Sequence, residues 1–586
     1  MAAGVRGCRL TGSIGAVRHR DDLDAVQLEL RDTKGTTIII YDQMCATERR
    51  RRRKRRLMED VPKRVFINQR VCEGCGDCGV TSNCVAVLPK ETPFGRKREI
   101  DQHNCNKDFS CVDGFCPSFV TVHGGKLRAP ARSTAAGTDP LPDPTLVALD
   151  RPYNIVIAGV GGAGVVTTSA LLGMAAHLEE KGCSTLDMMG LAQKGGAVTS
   201  HVRLASSADA IRASRIPIGG ADLAIGCDIL SFAGAEPIAT VRSGRTRVIV
   251  NTHEIIPGEF TRKPDLEFPS ETLRHKIDGA AGSAPVHYLD ATAMAMAVVG
   301  DPLGTNLLML GYAYQQGLIP LRRESIERAI ELNGIAVADN LAVFAAGRRA
   351  WLDESGAPQA MAAPGDDDLP DMAMKKFGEL LAAYQDHRYA DQYREFVNGV
   401  RLLEQERMPG ADALSVAVAE NLGKLMAYKD EYEVARLYTS PEFRQDLERQ
   451  FEGDYHVKFH LAPPIFAKLD SKNGHARKRA YGGWVMALFG ILSRLRRLRG
   501  TPLDLFGYSE ERRIERQLIH DYRRTIERVL SRLAPDNYAL AVEIASLPSS
   551  IRGFSHIKLA SLERARAKER ELLSAFEQPQ MATPTR

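Results

Sequence analysis

Hydrophobic residues in the last third of the chain recur at three- and four-residue spacing, the period of an amphipathic helix. Ser509, followed by Glu510 and Glu511, is typical of a helix start, because its hydroxyl can cap free amides and the acids complement the helix dipole. We predict that this region is almost all helical and, since it carries no catalytic signature, that it serves packing or assembly. Its clearest periodic sets are Phe377, Leu380, Leu381 and Tyr384, then Tyr389, Tyr393, Phe396, Val400 and Leu403, and finally Ile514, Leu518, Tyr522, Ile526, Val529 and Leu533.

The middle of the chain alternates short apolar runs with helical stretches. The runs Tyr153 to Ala158 and Arg247 to Val250 predict strands of a parallel α/β sheet. Nearer the start, a helix-like stretch covers Asp21 to Arg31, and the β-branched run Thr36 to Tyr41 is typical of a strand. The longest apolar stretch, Trp484 to Leu492, is too short to span a bilayer and is interpreted as a buried helix.

Two segments without sustained periodicity divide the chain into domains. We place linkers at residues 129–151 and 353–371, where proline, glycine and small residues are frequent. The predicted domains are residues 1–60, 61–128, 152–352 and 372–586. The fold class expected is therefore multidomain, with α/β regions followed by an α region.

Composition limits the classes of protein that need consideration. The chain has 586 residues, of which 44% are hydrophobic and 26% charged, which excludes a collagenous, low-complexity or wholly disordered protein. A net charge of +5 on this length does not indicate nucleic-acid binding. The first residues show no secretory signal, so we expect a cytoplasmic protein without a membrane partner.

Seven of the eleven cysteines lie between Cys72 and Cys116, which suits a metal site in a reducing compartment better than a set of disulfides. The run C-x2-C-x2-C is typical of iron–sulfur ferredoxins, whose fourth ligand commonly precedes a proline, as Cys116 precedes Pro117. A later run reads C-x2-D-x2-C, and its carboxylate can ligate iron, although it is a harder ligand than a thiolate. We predict a ferredoxin-like insert with two [4Fe-4S] clusters, one bound by Cys72, Cys75, Cys78 and Cys116 and the other by Cys84, Cys105, Asp108 and Cys111.

Two alternatives stay open for the cysteines. One is a zinc site, although zinc ribbons need paired C-x2-C knuckles and do not explain the third cysteine at the same spacing. The other is one cluster with a degenerate second site. The isolated cysteines are expected to be small buried hydrophobic residues rather than ligands, and they are Cys8, Cys45, Cys183 and Cys227.

The eight-residue basic run from Arg49 to Arg56 lies just before the cysteines. Such runs commonly indicate nucleic-acid binding or nuclear targeting, but no aromatic residues are interleaved here, so nucleic acid is not the expected partner. A local positive patch would accelerate the approach of an acidic electron carrier. A solvated helix end explains the run equally well.

A glycine-rich turn follows the first strand of the middle region. Gly159, Gly161 and Gly164 form G-x-G-x-x-G, and Asp187 lies about 20 residues further on, as the dinucleotide-binding pattern asks. The same glycines are also needed wherever a strand turns tightly into a packed helix. The next segment, DMMGLAQKGGAVTSHVRLA, is glycine-rich and cationic through Lys194, His201 and Arg203, which disfavours the dinucleotide interpretation.

The motifs GVGGAGVVTTSALLG, GLAQKGGAVTSHVRL and GLIPLRRESIERAIELNG resemble the gamma domain of 2-oxoacid:ferredoxin oxidoreductases, in particular of the indolepyruvate branch. The stretch IIIYDQMCATERRRRRKRR is similar to the end of that family's thiamine diphosphate domain, and VCEGCGDCGVTSNC to its ferredoxin-type insert. Residues 372–586 resemble the helical extension of the long fused bacterial members. The resemblance thus covers nearly the whole chain.

This resemblance implies oxidative decarboxylation of an arylpyruvate on thiamine diphosphate and magnesium, with ferredoxin as acceptor and CoA as co-substrate. The family holds the diphosphate and magnesium through a G-D-G motif followed by asparagine, and no G-D-G occurs in this sequence. Since the chain starts inside what corresponds to the cofactor domain, we expect the thiamine chemistry on a missing or partner chain. A truncated scaffold and an NAD-linked iron–sulfur reductase using Gly159, Gly161 and Gly164 are the alternatives.

Overall fold

A computed structural model describes residues 17–128, 141–190, 196–353, 369–462 and 478–577. The strands are β1 (Lys63–Ile67), β2 (Val87–Lys90), β3 (Lys97–Ile100), β4 (Phe119–Leu127), β5 (Tyr153–Val160), β6 (Gly182–Met189), β7 (Ala197–Ala205), β8 (Leu223–Gly226), β9 (Arg247–Asn251), β10 (Val286–Leu289), β11 (Phe451–Leu461) and β12 (Arg479–Tyr481). The helices as far as the second predicted linker are α1 (Leu23–Asp32), α2 (Ala46–Lys54), α3 (Asp77–Ser82), α4 (Val165–Leu178), α5 (Ile229–Phe232), α6 (Ala235–Thr240), α7 (Ser270–Ala281), α8 (Ala291–Val299), α9 (Thr305–Gln315), α10 (Arg323–Asn333) and α11 (Val337–Leu352). Those beyond it are α12 (Leu369–Tyr384), α13 (His387–Arg407), α14 (Ala413–Met426), α15 (Glu431–Thr439), α16 (Pro441–Gln450), α17 (Val485–Arg494), α18 (Glu510–Ser531), α19 (Tyr538–Ser546) and α20 (Ser555–Glu577).

The chain divides into two compact units, one formed by residues up to 63 with residues 106–109, and the other by the rest. The first unit contains α1, which confirms the predicted early helix, and α2, which carries most of the basic run. Within this unit the Nζ of Lys107 donates to both carboxylate oxygens of Asp60, at 2.8 and 2.7 Å.

The β-branched run Thr36 to Tyr41 forms no strand, so that prediction is wrong. Ile38 is 79% exposed and Ile40 is 66% exposed. A strand requires a neighbouring strand to pair its N–H and C=O groups, and β-branched residues supply only a side-chain preference. Within the described residues, nothing pairs with this run.

A six-stranded sheet in the order β10-β9-β8-β5-β7-β6 lies at the centre of the middle region. Four strands, β10, β9, β8 and β5, are parallel, as predicted, but β7 pairs antiparallel with both β5 and β6. The prediction of a parallel sheet is therefore wrong for β7, which runs opposite to the other five strands. The connection from β6 to β7 is only seven residues, which is too short for a parallel crossover but sufficient for an antiparallel return.

The core of this region combines β5 with two helices that pack very closely. Ile155, Val156 and Ile157 are fully buried, as expected for a strand covered on both faces. A Cβ at Gly311 in α9 would overlap the carbonyl oxygen of Phe344 in α11, so only glycine permits this approach.

Residues 141–150 lie in the first predicted linker and pack against the same region. The N–H of Val147 donates to the carbonyl of Gly317 at 3.0 Å. Arg348 is 4% exposed, and its guanidinium donates to Pro142 O at 3.0 Å and to Asp143 Oδ1 at 2.9 Å. A buried arginine needs such acceptors, so these contacts hold the segment in place.

A four-stranded sheet in the order β1-β4-β11-β12 joins the cysteine-bearing segment to the last third of the chain. Strand β11 pairs antiparallel with β4, with Val457 opposite Val122 and Phe459 opposite Val120. Strands β11 and β12 are the exceptions in a region predicted to be almost all helical. The alternation of apolar Val457, Phe459 and Leu461 with polar residues is the sequence signal that was overlooked.

The helical prediction is otherwise confirmed in this region. Tyr384 and Tyr393 are fully buried, and the Oγ of Ser509 accepts the N–H of Arg512 at 3.4 Å, as a cap of α18. The predicted buried helix at Trp484 to Leu492 is α17, but only one of its faces is buried. None of the helices in the described residues combines the length and apolar character that a bilayer crossing requires.

Candidate functional site

The loop after β1 carries two of the predicted cluster ligands, Cys72 and Cys75, and glycines set its path. Gly74 and Gly76 have φ values of +70° and +81°, which side chains rarely adopt. A Cβ at Gly74 would also overlap the carbonyl oxygen of Arg96. The loop then enters α3, which holds Cys78, and the Oδ2 of Asp77 accepts the N–H of Phe115 at 2.6 Å. This bond ties the loop to the turn that leads to Cys116.

The four cysteines predicted for the first cluster are near enough for the charge of one to affect the ionisation of another. Cys72, Cys78 and Cys116 are buried, and Cys75 is partly buried. Burial is the main cause that raises the pKa of Cys75 and Cys78, and the other thiols of this set raise it further. Burial and Cys72 raise the pKa of Cys116 to about 11. Cys75, Cys78 and Cys116 are each harder to ionise because others of the set are near, so the four cysteines lie close together.

Hydrogen-bond donors surround these sulfurs. The N–H of Gly74 lies 3.3 Å from Cys72 Sγ, and the N–H of Ser118 lies 3.4 Å from Cys116 Sγ. The Oγ of Ser118 is 2.8 Å from the same sulfur. Donors of this kind stabilise bound thiolates and tune the reduction potential of a cluster.

Cationic side chains lie close to the same thiols. Arg98 is 2% exposed and donates to Pro264 O at 3.0 Å, and its charge acts on Cys72, Cys75 and Cys78. Lys478 donates to Cys116 O at 3.3 Å. Fixed positive charges offset the negative charge of a thiolate-bound cluster.

A second group of charges lies next to Cys72. Burial by itself would raise the pKa of Glu73, but Lys429 and three further lysines hold it well below the ordinary value. Lys429 forms an ion pair with Glu73. Burial lowers the pKa of Lys424 to about 7, and this residue lines a small cleft with Glu73 and Lys558. Glu73, next to Cys72, is thus surrounded by lysines from α14, α20 and the α14–α15 loop.

The four predicted ligands of the first cluster are all cysteines. In the described part of the chain, no three His, Cys, Asp or Glu side chains are grouped closely enough to hold one metal ion. Four cysteines with N–H donors and cations around them have the chemistry of the ligand set that a [4Fe-4S] cluster takes.

The second predicted ligand set has less structural support. Cys84 and Cys111 are buried and Cys105 is partly buried, and the ten described cysteines form no disulfide. Cys111 lies within electrostatic range of Cys78. Asp108 belongs to the first compact unit and the three cysteines to the second. The second cluster therefore stays a prediction from spacing.

The isolated cysteines do not share one environment. Cys227 is buried and Cys183 partly so, and burial raises the pKa of both. Cys45 is exposed, so the expectation of a buried hydrophobic residue is wrong there. Cys8 lies outside the described residues.

The three glycines of the G-x-G-x-x-G turn have identifiable roles in the fold. A Cβ at Gly159 would lie 2.8 Å from Val165 Cγ2 and 3.1 Å from Cys227 Cβ, so close packing requires glycine. The N–H of Gly161 donates to Gly196 O at 2.8 Å, and Gly164, at a φ of +102°, begins α4. Gly159 and Gly164 thus need glycine whether or not a ligand binds, and a Cβ at Gly161 would lie a tight 3.2 Å from Gly196 O.

Asp187 is not placed as the acid of a dinucleotide site. It lies in β6, an edge strand that runs antiparallel to its neighbour. Its Oδ1 accepts the hydroxyls of Ser169 at 2.9 Å and Ser200 at 2.5 Å. The dinucleotide fold instead places its acid after the second strand of a parallel βαβ unit. The NAD-linked alternative loses its main sequence support.

The cationic interpretation of the following segment is also wrong in part. His201 is fully buried, burial lowers its pKa, and its Nδ1 accepts the N–H of Ile216 at 3.3 Å. It is therefore neutral near pH 7. Arg203 donates to Asn154 Oδ1 at 2.9 Å, while Lys194 lies outside the described residues.

The helical region contributes to the cysteine site in a way the sequence did not indicate. Tyr438 is fully buried and donates to Pro117 O at 2.6 Å, beside Cys116. Arg70, just before Cys72, bonds Asp446 Oδ2 at 2.7 Å. These contacts join segments more than three hundred residues apart, so no local pattern reports them.

Comparison with known proteins identifies two families. Residues 154–350 match the family described as pyruvate ferredoxin/flavodoxin oxidoreductase. Residues 371–571 match a family of unknown function, DUF6537. The second match therefore gives no activity for residues 371–571, which make up most of the helical region.

Two relatives and one solved structure resemble the chain. Indolepyruvate oxidoreductase subunit IorB of Methanothermobacter thermautotrophicus is 33% identical over 179 residues, 30% of this chain and 84% of that subunit. IorB of Archaeoglobus fulgidus is 34% identical over 182 residues, 30% of this chain and 83% of that subunit. The gamma subunit of keto/oxoacid ferredoxin oxidoreductase from Geobacter sulfurreducens is a solved structure that is 18% identical to this chain. The match covers 34% of this chain and 99% of that subunit, with a TM-score of 0.25.

The sequence matches cover nearly the whole of these relatives but only part of this chain. IorB subunits correspond to 30% of it, and the oxidoreductase family match lies within the region of the six-stranded sheet. Because two relatives above 30% identity are covered over more than four fifths of their length, the chain belongs to the family of indolepyruvate and 2-oxoacid:ferredoxin oxidoreductases.

Proposed function

We propose that this chain is the electron-transfer and gamma portion of an arylpyruvate:ferredoxin oxidoreductase, with indolepyruvate as its substrate. The reaction would oxidatively decarboxylate the 2-oxoacid, pass the electrons to ferredoxin and leave the acyl group on CoA. The observation that carries the proposal is the set of neighbouring thiols Cys72, Cys75, Cys78 and Cys116 in a chain that also contains an oxidoreductase domain of this family.

The residues around these thiols have distinct tasks in this proposal. A bound [4Fe-4S] cluster supplies one-electron transfer. The N–H groups of Gly74 and Ser118 would stabilise the thiolates of Cys72 and Cys116 once iron is bound. Arg98 and Lys478 offset their charge, and burial keeps water away. Cys84, Cys105, Asp108 and Cys111 are proposed to bind a second cluster.

The thiamine step is proposed to take place on a different polypeptide segment. No G-D-G motif is present in residues 1–586, and Gly453 and Asp454 are followed by Tyr455. Magnesium needs oxygen ligands in near-octahedral geometry to anchor the diphosphate. Thiamine diphosphate, magnesium and the arylpyruvate are therefore assigned to a missing or partner domain, with CoA as co-substrate and ferredoxin as acceptor.

We expect residues 1–586 alone to be inactive in oxidative decarboxylation and to become active when a thiamine-binding chain of this family is added. The assay contains indolepyruvate, thiamine diphosphate, magnesium, CoA and methyl viologen under anaerobic conditions. Dye reduction should depend on both chains, because only the partner can anchor the diphosphate and only this chain holds the proposed clusters.

The matched control for this assay is the same mixture with the Cys78→Ser chain, which should reduce no dye. Dye reduction by residues 1–586 alone would mean that the absent motif has been misread. If the clusters are intact but no partner restores activity, a scaffold role is favoured instead.

Asp108 is expected to make its cluster the more labile one, because an oxygen ligand among thiolates leaves one iron easily lost to oxidants. Mild oxidation should produce a three-iron signal in electron paramagnetic resonance, and Asp108→Cys should suppress it. If Asp108→Ala leaves both the spectrum and the iron content unchanged, this aspartate is not a ligand.

A further inference from the structure

We propose that the exposed side of α17 is the docking surface for an acidic electron-carrier protein. The proposal rests on the proposed function, since a carrier binds here productively only if the neighbouring thiols hold a redox cluster. It assigns a role to part of the family of unknown function at residues 371–571. We call this surface the α17 face and define it by Trp484, Leu488, Ile491 and Leu495, with Arg479, Arg494 and Arg497 at its margin.

The α17 face is apolar and open to solvent. Trp484, Leu488, Ile491 and Leu495 follow a spacing of four, three and four residues, so they lie along one side of the helix. They are 65%, 45%, 57% and 38% exposed, respectively. Large apolar side chains aligned at this exposure mark an interaction site, because burying them on a partner is favourable.

The charged residues that flank α17 in the sequence are all basic. Arg479, Arg494 and Arg497 are exposed. Between Asp470 and Asp504 the sequence contains no acidic residue at all. A basic margin around an apolar centre accelerates encounter with an acidic partner and orients it, while the apolar centre holds it.

The opposite, buried side of α17 packs against a residue that contacts the segment carrying Cys116. Phe489 is buried and stacks on Tyr438, with ring centroids 5.5 Å apart and planes within 8°. Tyr438 donates to Pro117 O at 2.6 Å, next to Cys116. Two packed rings thus separate the α17 face from the chain segment that carries this thiol.

A second contact links the same surface to Cys116. Lys478 directly precedes β12 and donates to the carbonyl of Cys116 at 3.3 Å, and the next residue is the exposed Arg479. After β12, Tyr481 and Trp484 make an edge-to-face contact at 6.1 Å. A protein seated on the α17 face would therefore lie beside the cluster site, which is what electron transfer between proteins requires.

The basic run Arg49 to Arg56 lacks this combination. It carries charge without an apolar stripe, and α2 belongs to the first compact unit rather than the unit with the four thiols. Charge alone steers many anionic partners, whereas an apolar centre with a basic margin selects a protein surface of complementary shape and charge. We therefore place the carrier on α17.

The test measures how fast the reduced full chain transfers electrons to an acidic plant-type [2Fe-2S] ferredoxin in a stopped-flow instrument at low salt. One variant is Leu488→Ser with Ile491→Ser, and the second is Arg494→Glu with Arg497→Glu. Each should lower the second-order rate constant at least about tenfold. High salt should reduce the effect of the charge variant on the rate constant. It should not change the effect of the apolar variant.

Matched controls come from α13, which lies elsewhere in the helical region. Leu402 is 73% exposed, so Leu402→Ser removes a comparable apolar side chain, and Arg388→Glu with Arg407→Glu makes the same change in net charge. These should change the rate constant less than about twofold. Reduction of methyl viologen, which is small and needs no docking surface, should be equal in all variants with equal iron content.

The outcomes separate this proposal from the proposed function. If the α17 variants reduce ferredoxin as fast as the parent chain while viologen reduction is normal, the docking surface is wrong and the proposed function stands. If the parent chain reduces neither acceptor, both fail. The apolar variant could instead leave the ferredoxin rate unchanged and abolish self-association in light scattering, or binding to anionic lipid vesicles. In either case the surface serves a different partner and the proposal is overturned.

Discussion

Replacing Cys78 with serine is expected to halve the iron and sulfide content of the anaerobically purified chain, from about eight to about four of each. Cys78 is 7% exposed, and the Cβ that Gly114 lacks would lie only 2.9 Å from its Cα. A serine hydroxyl fits the space but does not ionise as a thiol does, so the first cluster loses one of its four predicted ligands.

This substitution should abolish electron transfer, although it removes only about half of the iron. Transfer to methyl viologen and to ferredoxin should fall to the background, since the first cluster is the one beside Cys116 and the α17 face. Cys227→Ser is the matched control, because Cys227 is also buried but lies in the middle region with no predicted ligand role. Unchanged iron and unchanged absorption near 400 nm in the Cys78 variant would refute the first ligand set, and stoichiometric zinc in the parent chain would refute both clusters.

Removing Arg499 is expected to give the largest loss of stability in the helical region. Its side chain and that of Asp430 are each 3% exposed, and Nε and Nη2 of the arginine donate to the two carboxylate oxygens at 2.6 and 2.8 Å. The guanidinium also donates to Tyr384 O at 2.8 Å and lies 3.6 Å from the centre of that tyrosine ring. Arg499→Met leaves the Asp430 carboxylate buried without its partner.

We expect this variant to lower the free energy of unfolding of the helical region by about 3 to 5 kcal/mol. Guanidinium unfolding followed by circular dichroism measures the change. Arg388→Met, at an exposed position of α13, should cost less than about 0.5 kcal/mol. Arg499→Met with Asp430→Asn should recover part of the loss, because no unpaired charge stays buried. Equal loss in the single and double variants would mean that contacts with Tyr384, rather than the ion pair, hold Arg499.

The parts of the fold that could be predicted are those determined by residues close in sequence. The periodic set around Tyr522 and the cap at Ser509 depend on contacts within a few positions, and both predictions are confirmed. The strand from Tyr153 was likewise recognisable from its continuous apolar run. Local patterns report which side of an element is apolar.

What could not be predicted depends on the partner that each element meets. Thr36 to Tyr41 has strand-forming residues but no strand beside it, whereas β11 becomes a strand because the edge of β4 is available. The direction of β7 follows from a short connection that periodicity does not report. At the candidate site, spacing indicated Cys72, Cys75 and Cys78, but only the fold shows Tyr438 and Lys478 beside Cys116.

The pairing of β11 with β4 also has a consequence for biosynthesis. Strand β4 leaves the ribosome more than three hundred residues before β11, so one of its edges has no partner while those residues are being made. Such a long loop must close before the sheet is complete, and pairings of high sequence separation form slowly. The cysteines between β1 and β4 therefore acquire their final surroundings only after β11 has been made. Until then, the nascent chain has to keep these thiols reduced and protect this strand edge from aggregation.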